Sequence, residues 1–167
     1  EIYQCDWSSD VCSSDLAMKY GWMWMIPLQH RYGCGYVYDS NYINEKQAQK
    51  EVEEFLKKKI EVRKVISFEA GRYEKFWVKN CIAVGLSSSF IEPLESTSIW
   101  LSCAELVTLN DFINQIGNYN ENNISLFNEI CNNNMDEILN FIYLHYMGER
   151  NDSEFWRNFK KDYPPPE

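Results

Sequence analysis

The sequence predicts an α+β chain, strand-rich in its first half and helical in its second, on three observations. Residues 21–38 are dense in aromatic and β-branched side chains at strand alternation. From Ile99 onward apolar residues recur at helical spacing. Between these regions the run NCIAVGLSSSFIEPLESTSI (80–99) reads as a buried strand over 81–84, a turn of small residues, and a helix opening near Thr97.

The chain has 167 residues, 45% hydrophobic and 16% aromatic, enough for one sizeable core. A net charge of −9 argues against nucleic acid and anionic membrane surfaces as partners. No apolar run approaches the ~20 residues of a membrane-spanning helix, and no basic-then-apolar leader marks a signal peptide. The six cysteines (5, 12, 34, 81, 103 and 131) contain no CxxC pair. Four sit among apolar neighbours, where a small hydrophobe is usually buried, and a cytoplasmic location is expected.

The elements follow in order. Residues 5–16 (CDWSSDVCSSDL) match no fold motif and resemble the translation of a DNA-sequencing adapter. Residues 1–16 are therefore expected to be a non-native leader, with a polar acidic loop as the alternative. Residues 21–38 should form two strands, broken at Pro27 and turning at Gly33-Cys34-Gly35. Asn44 with Gln47 marks a helix start with a reciprocal cap, and Ala48, Val52, Phe55 and Leu56 give that helix its apolar face. Lys57, Lys58 and Lys59 stand at the end that favours positive charge. Residues 60–68 and 76–85 are strand-like.

After the central turn, Ile99, Cys103, Leu106, Asn110, Ile113 and Gly117 keep helical spacing and predict a helix of about twenty residues. The Asn-rich stretch 118–134 could serve as a linker. However, Leu126, Phe127, Ile130, Ile138, Leu139 and Ile142 carry an apolar stripe through it, so a long helix to Gly148 is expected, broken near 132–134. Asp152 or Ser153 caps a last short helix, stopped by the prolines at 164–166.

The 80–99 junction is a chemical site in its own right. A strand-to-helix turn leaves backbone N–H groups unpaired at the positive end of a helix, which suits an anion. Glu95 supplies a carboxylate immediately before it. The only histidines, His30 and His145, have no second ligand at metal spacing and read as structural, so no metal site is expected.

Three stretches together resemble one family. GWMWMIP (21–27) matches the WxWxIP signature of flavin-dependent tryptophan halogenases. QHRYGCGYVY (29–38) and GLSSSFIEPLEST (85–97) resemble that family's next two blocks, and His145-Tyr146 with DSEFW (152–156) resembles its later substrate-side helices. The similarity covers roughly residues 17–163. It implies a fragment cut from an α/β, flavin monooxygenase-like FAD-binding enzyme with a mainly helical substrate module. Residues 17–117 would form part of the FAD- and halide-binding core, and 118–167 an incomplete substrate-side module.

The resemblance also implies roles. In the family, reduced FAD delivered by a separate flavin reductase, together with oxygen and chloride or bromide, yields hypohalous acid. That oxidant passes through a tunnel to an electron-rich aromatic substrate, where a lysine captures it. Thr97 and Ser98 match positions whose backbone amides hold the halide, although the family often has glycine in place of Ser98. Glu95 matches the carboxylate beside the carbon being halogenated, with Glu92 the less favoured alternative. Gly85, Leu86, Ser87 and Ser96 match flavin-contacting positions. Trp22, Trp24, Ile26 and Pro27 match the wall separating substrate from flavin, and Tyr146, Phe155 and Trp156 are candidates to stack on the substrate or to fill a helix core. The intact enzyme could be a homodimer.

No GxGxxG follows a strand here, and no lysine sits in a motif matching the family lysine. The chain is therefore expected to be an internal fragment without halogenating activity of its own. A flavin-dependent hydroxylase is the runner-up, disfavoured by the Trp22/Trp24 pair and by Leu86, and a non-catalytic binding remnant is the reading from another class.

Overall fold

A computed structural model describes residues 15–116 and 120–163. In chain order the elements are β1 (Asp15–Met18), β2 (Gly21–Leu28), β3 (Arg31–Tyr38), α1 (Glu45–Leu56), β4 (Gly71–Arg72), β5 (Trp77–Val78), β6 (Cys81–Ile82), β7 (Ser89–Phe90), α2 (Thr97–Ile116), α3 (Glu121–Tyr146) and α4 (Glu154–Asp162). They fall into two compact units. One runs to Ser67 and resumes at Glu149–Tyr163; the other is Phe68–Gly148. The division expected near 117–118 does not coincide with either boundary, and Gly117 itself, like residues 1–14 and the prolines at 164–166, lies outside the described residues. The expected limit after residue 16 falls inside β1.

In the first unit β1, β2 and β3 form an antiparallel sheet in that order. The turn is at Gln29–His30, not at Gly33-Cys34-Gly35, which lies within β3. Pro27 does not break β2: beyond Trp24, β2 has a neighbour on one side only among the described residues, and a missing N–H is tolerated there. Gly35 is glycine for a different reason than a turn. It pairs with Trp24, and a Cβ there would lie 2.4 Å from the indole's Cε2 and Cζ2.

Met18, Met23 and Val52 are the buried centre of this unit, with Tyr36 and Leu56 packed on them. Helix α1 opens with the expected reciprocal cap, Asn44 Oδ1 accepting from Gln47 N–H at 3.1 Å and Gln47 Oε1 accepting from Asn44 N–H at 2.9 Å. Glu51 of α1 ties the helix to the sheet, accepting from Lys19 N–H at 2.7 Å and from the Tyr36 hydroxyl at 3.0 Å. Helix α4 is capped by Ser153, whose Oγ accepts from Trp156 N–H and donates to Lys19 O at 2.5 Å.

Residues 60–68 form no strand; with no partner in the described residues they have no ladder to join, and Val65 and Ile66 are exposed.

The second unit is two packed helices holding a looped segment. Phe76, Trp77, Phe112, Phe127 and Cys131 are its core. The strand expected over 76–85 is only the tight β5–β6 hairpin, and Cys81 is exposed rather than buried. Cys34 and Cys103 are exposed as well, leaving Cys131 the one buried cysteine among those described.

Helix α3 runs unbroken through the Asn-rich stretch. The asparagines are not linker residues: Asn128 acts as a surrogate strand partner, accepting from Trp77 N–H at 2.7 Å and donating to Trp77 O at 3.0 Å. Asn132 donates to Glu74 O at 3.1 Å and, through its own carbonyl, accepts from Arg72.

Helix α2 has the expected length but the opposite face inward. Ile99, Leu106 and Ile113 are 68%, 54% and 49% exposed, whereas Leu101, Glu105 and Phe112 are buried. Both stripes keep helical spacing, so periodicity alone could not choose between them.

Candidate functional site

The central turn lies wholly in the second unit. Leu94 and Thr97 are buried and pin it, while Glu95 and Ser96 between them are exposed. Both intervening residues are left-handed, with φ of 52° at Glu95 and 55° at Ser96. A non-glycine residue in that region costs about 1–2 kcal/mol. Two in succession, directly before the first turn of α2, are the most strained backbone described in the chain.

The turn spends part of its N–H supply internally. Ser96 N–H donates to Pro93 O at 3.1 Å. Thr97 donates twice to Leu94 O, through its N–H and through Oγ1 at 3.2 Å. The Thr97 amide, expected as one of two halide donors, therefore faces the chain here. Ser98 and Ile99 belong to the first turn of α2, whose N–H groups have no intrahelical acceptor. Positive φ falls on Glu95 and Ser96, not on Ser98.

A second turn, Gly85–Ser88, is joined to the same helix. Gly85 is left-handed at φ 63°, and its α-carbon faces Ser102 of α2: a Cβ would meet Ser102 Oγ at 2.8 Å. Ser102 in turn donates to Ser98 O at 2.7 Å. The Ser87 hydroxyl is used within the turn, accepting from Val84 N–H at 3.0 Å and donating to Val84 O at 2.8 Å. Leu86 projects outward, 73% exposed.

Beneath this turn lies a residue the sequence reading did not single out. Glu105 of α2 is 2% exposed. Its Oε2 accepts from Gly85 N–H at 2.6 Å, and its carboxyl meets Ser88 Oγ at 3.1 Å. Burial pushes its carboxyl upward from the usual range, against the pull of the Gly85 and Ser88 bonds. The signal was present: Glu105 lies four residues from Leu101 and seven from Phe112, on one helical face.

Leu86 and Ser88 of this turn form, with Arg72, Tyr73 and Phe90, a shallow open cleft of ≈ 270 Å³. Ligand pockets usually run to about 300–1,000 Å³ and bury most of the ligand. So shallow a cleft does not enclose a large planar group such as a flavin; at most it offers one edge.

The remaining expected residues are divided between the units. Glu92 and Tyr146 meet in the second, the Tyr146 hydroxyl donating to Glu92 Oε2 at 2.8 Å. Trp22, Trp24, Ile26 and Pro27 are in the first. Trp22 meets Trp156 edge to face at 5.9 Å, Trp24 covers Gly35, and Ile26 and Pro27 are exposed.

Phe155 and Trp156 are core residues of that unit, 3% and 6% exposed. Trp156 Nε1 donates to Met18 O at 2.7 Å, and the Arg150 guanidinium sits 5.4 Å from its ring centroid. Of their two readings, packing rather than stacking on a substrate is the one this geometry supports. His145 shares a hydrogen bond with Phe141 O at 2.9 Å and packs on the Phe141 ring. Among the described residues no group of three His, Cys, Asp or Glu is placed to hold a metal ion, and no helix is long and apolar enough to cross a membrane.

Comparison with known proteins gives this geometry its context. The chain is 36% identical over 148 residues to tryptophan 6-halogenase SttH of Streptomyces toxytricini, a match covering 86% of this chain and 28% of that protein. It is 37% identical over 154 residues to tryptophan 7-halogenase RebH of Lentzea aerocolonigenes, covering 89% and 28%. Among solved structures, BrvH, a flavin-dependent halogenase from Brevundimonas sp. BAL3, superposes with a TM-score of 0.80 at 37% identity, over 92% of this chain and 31% of that one. The chain thus spans under a third of the length of these relatives. The tryptophan halogenase family itself matches residues 3–167. With nearly the whole chain matched, this protein belongs to the tryptophan halogenase family.

Proposed function

We propose that this chain carries the halide turn, one edge of the flavin contact and part of the substrate side of a flavin-dependent halogenase. The intact enzyme would act on tryptophan or a similar electron-rich aromatic, with chloride or bromide as co-substrate and reduced FAD supplied by a separate reductase. The observation that carries this reading is the left-handed pair Glu95–Ser96 directly before α2. Backbone strain of this kind persists where the surroundings enforce it, typically at ligand sites.

When bound, reduced FAD with oxygen would supply the oxidising power, and the protein's own groups would do the rest. Backbone at Gly85, Leu86 and Ser87 would meet the flavin edge, with Ser96 beside it. The Ser98 amide at the positive end of α2 suits a halide. Halogenation adds a halogen to a ring carbon, which must then shed its proton. Glu95 is suited to stabilise the cationic ring and take that proton. Trp22, Trp24, Ile26 and Pro27 would separate substrate from flavin.

The test is the complete gene, expressed and supplied with FAD, a flavin reductase and oxygen, against tryptophan, indole and phenols with each halide. Halide-dependent halogenated product is expected from the complete enzyme and none from the 167-residue chain alone. A hydroxylated product formed without halide would replace this reading with that of a monooxygenase.

A further inference from the structure

Glu105 is the one fully buried carboxyl among the described residues, and no Lys, Arg or His pairs with it there. Its hydrogen bonds all go to the Gly85–Ser88 turn. Gly85 N–H donates to Oε2 at 2.6 Å, and Ser88 Oγ lies 3.1 Å from Oε1 and 3.3 Å from Oε2. Ser88, only 1% exposed, also closes the turn on itself, its N–H donating to Gly85 O at 2.9 Å and its hydroxyl lying 2.7 Å from the same oxygen. The left-handed glycine is thus held at its N–H by α2 and at its carbonyl by Ser88.

An acid is an expensive way to fill this position. It occupies the α2 face that packs on α3, between Leu101 and Phe112, where an aliphatic side chain would bury without desolvating a polar group. Replacing both partners of a buried polar pair by apolar groups of similar shape is often neutral or stabilising, but removing one leaves the other unsatisfied. What an aliphatic residue could not do is take the Gly85 N–H and set the turn's orientation. Nothing else in the described structure binds that N–H.

We propose that Glu105 is a positioning residue, a strut from α2 that fixes the Gly85–Ser88 turn so that Leu86 and Ser87 face outward to the flavin. This rests on the flavin-contact reading of the turn given above.

Glu105→Leu and Glu105→Gln in the 167-residue chain separate the strut from simple packing. The readouts are amide hydrogen exchange at Gly85 and Ser88 and the thermal midpoint in this chain and, with the same substitutions in the complete enzyme, the FAD dissociation constant from fluorescence quenching. Glutamine can accept from Gly85 N–H and donate to Ser88 Oγ, so it should match wild type in exchange and FAD affinity. Leucine leaves Gly85 N–H without its acceptor, so it should lower the midpoint modestly, speed Gly85 exchange more than the fall in midpoint accounts for, and weaken FAD binding about tenfold, the equivalent of one lost hydrogen bond. A Leu variant that keeps Gly85 protected and binds FAD like wild type overturns the proposal. So does a folded Gln variant that fails to restore both. If the complete wild-type enzyme takes up no FAD, the flavin reading fails instead, and the exchange rates alone decide whether the strut exists.

Discussion

The indole of Trp24 lies across Gly35, its register partner on β3, in the space a side chain there would need. A Cβ at 35 would sit 2.4 Å from two indole carbons and 2.6 Å from Nε1. The ring belongs to a bulky side chain on a paired backbone, so relief requires a new rotamer or a shift of β2. Gly35→Ala should therefore cost about 1–3 kcal/mol, the usual range for overpacking. Urea midpoints measure the loss, and a changed Trp24 emission shows that the ring has moved. Gly33→Ala is the control: a Cβ there meets nothing closer than 3.5 Å and should be tolerated.

Trp156 is fixed by the sheet rather than offered to a ligand. Trp156→Phe keeps most of the ring and removes the Nε1 donor, leaving Met18 O without that bond inside a buried site. A loss of about 1–3 kcal/mol in unfolding free energy is expected. In the complete enzyme the same change should leave the KM for the aromatic substrate near wild type once stability is restored by lower temperature. A KM raised tenfold with stability intact would return Trp156 to the substrate.

The caps at Asn44–Gln47 and Ser153 were legible because each is decided locally, by a side chain bonding its own backbone, and the start of α2 at Thr97 because helical apolar spacing begins there. The two tryptophans alternating on β2 were legible for the same kind of reason. What escaped was decided at a distance. The Gly33–Gly35 pair looks like a turn until Trp24 is seen to need the room. The asparagines of α3 look like linker until Asn128 and Asn132 are seen to hold the loop at 74–77.

Helix α2 is apolar on two faces, and only its packing on α3 selects the one that carries Glu105. The Thr97 amide is beyond reach of sequence altogether, because its engagement depends on two successive left-handed residues.

Those residues make a prediction of their own. Ser96 has a φ of 55° and an exposed side chain, so Ser96→Gly removes the left-handed penalty and disturbs no buried packing. The gain is reduced by glycine's greater freedom in the unfolded chain. A net stabilisation of about 1 kcal/mol should appear as a raised thermal midpoint, while Ser96→Ala should show none. Glu95→Gln tests chemistry rather than strain. It should leave the midpoint unchanged and, in the complete enzyme, lower kcat with little effect on halide KM. Unchanged kcat would remove Glu95 from the reaction.

Glu105 also sets the sign of one pH dependence. Burial raises its carboxyl in the folded chain above the value of about 4.3 that a glutamate has when unfolded. A group raised on folding contributes stability that is fully present below its unfolded value and is lost as pH rises through the folded one. The groups facing it do not reverse this. Gly85 N–H and Ser88 pull its value down less than burial pushes it up, and Cys131 of α3, itself pushed up to about 12 by burial and by the Glu105 charge, stays neutral throughout. Other carboxyls act oppositely: Asp152, hydrogen-bonded to the Arg150 guanidinium, is held below its usual value and loses its contribution as pH falls. The difference between wild type and Glu105→Gln cancels that background, since Asp152 is common to both. Measured from about pH 4 to 8, wild type should lose stability relative to Glu105→Gln as pH rises. A difference that stays flat, or that grows in favour of wild type, would mean the folded chain holds Glu105 as readily ionised as the unfolded one does.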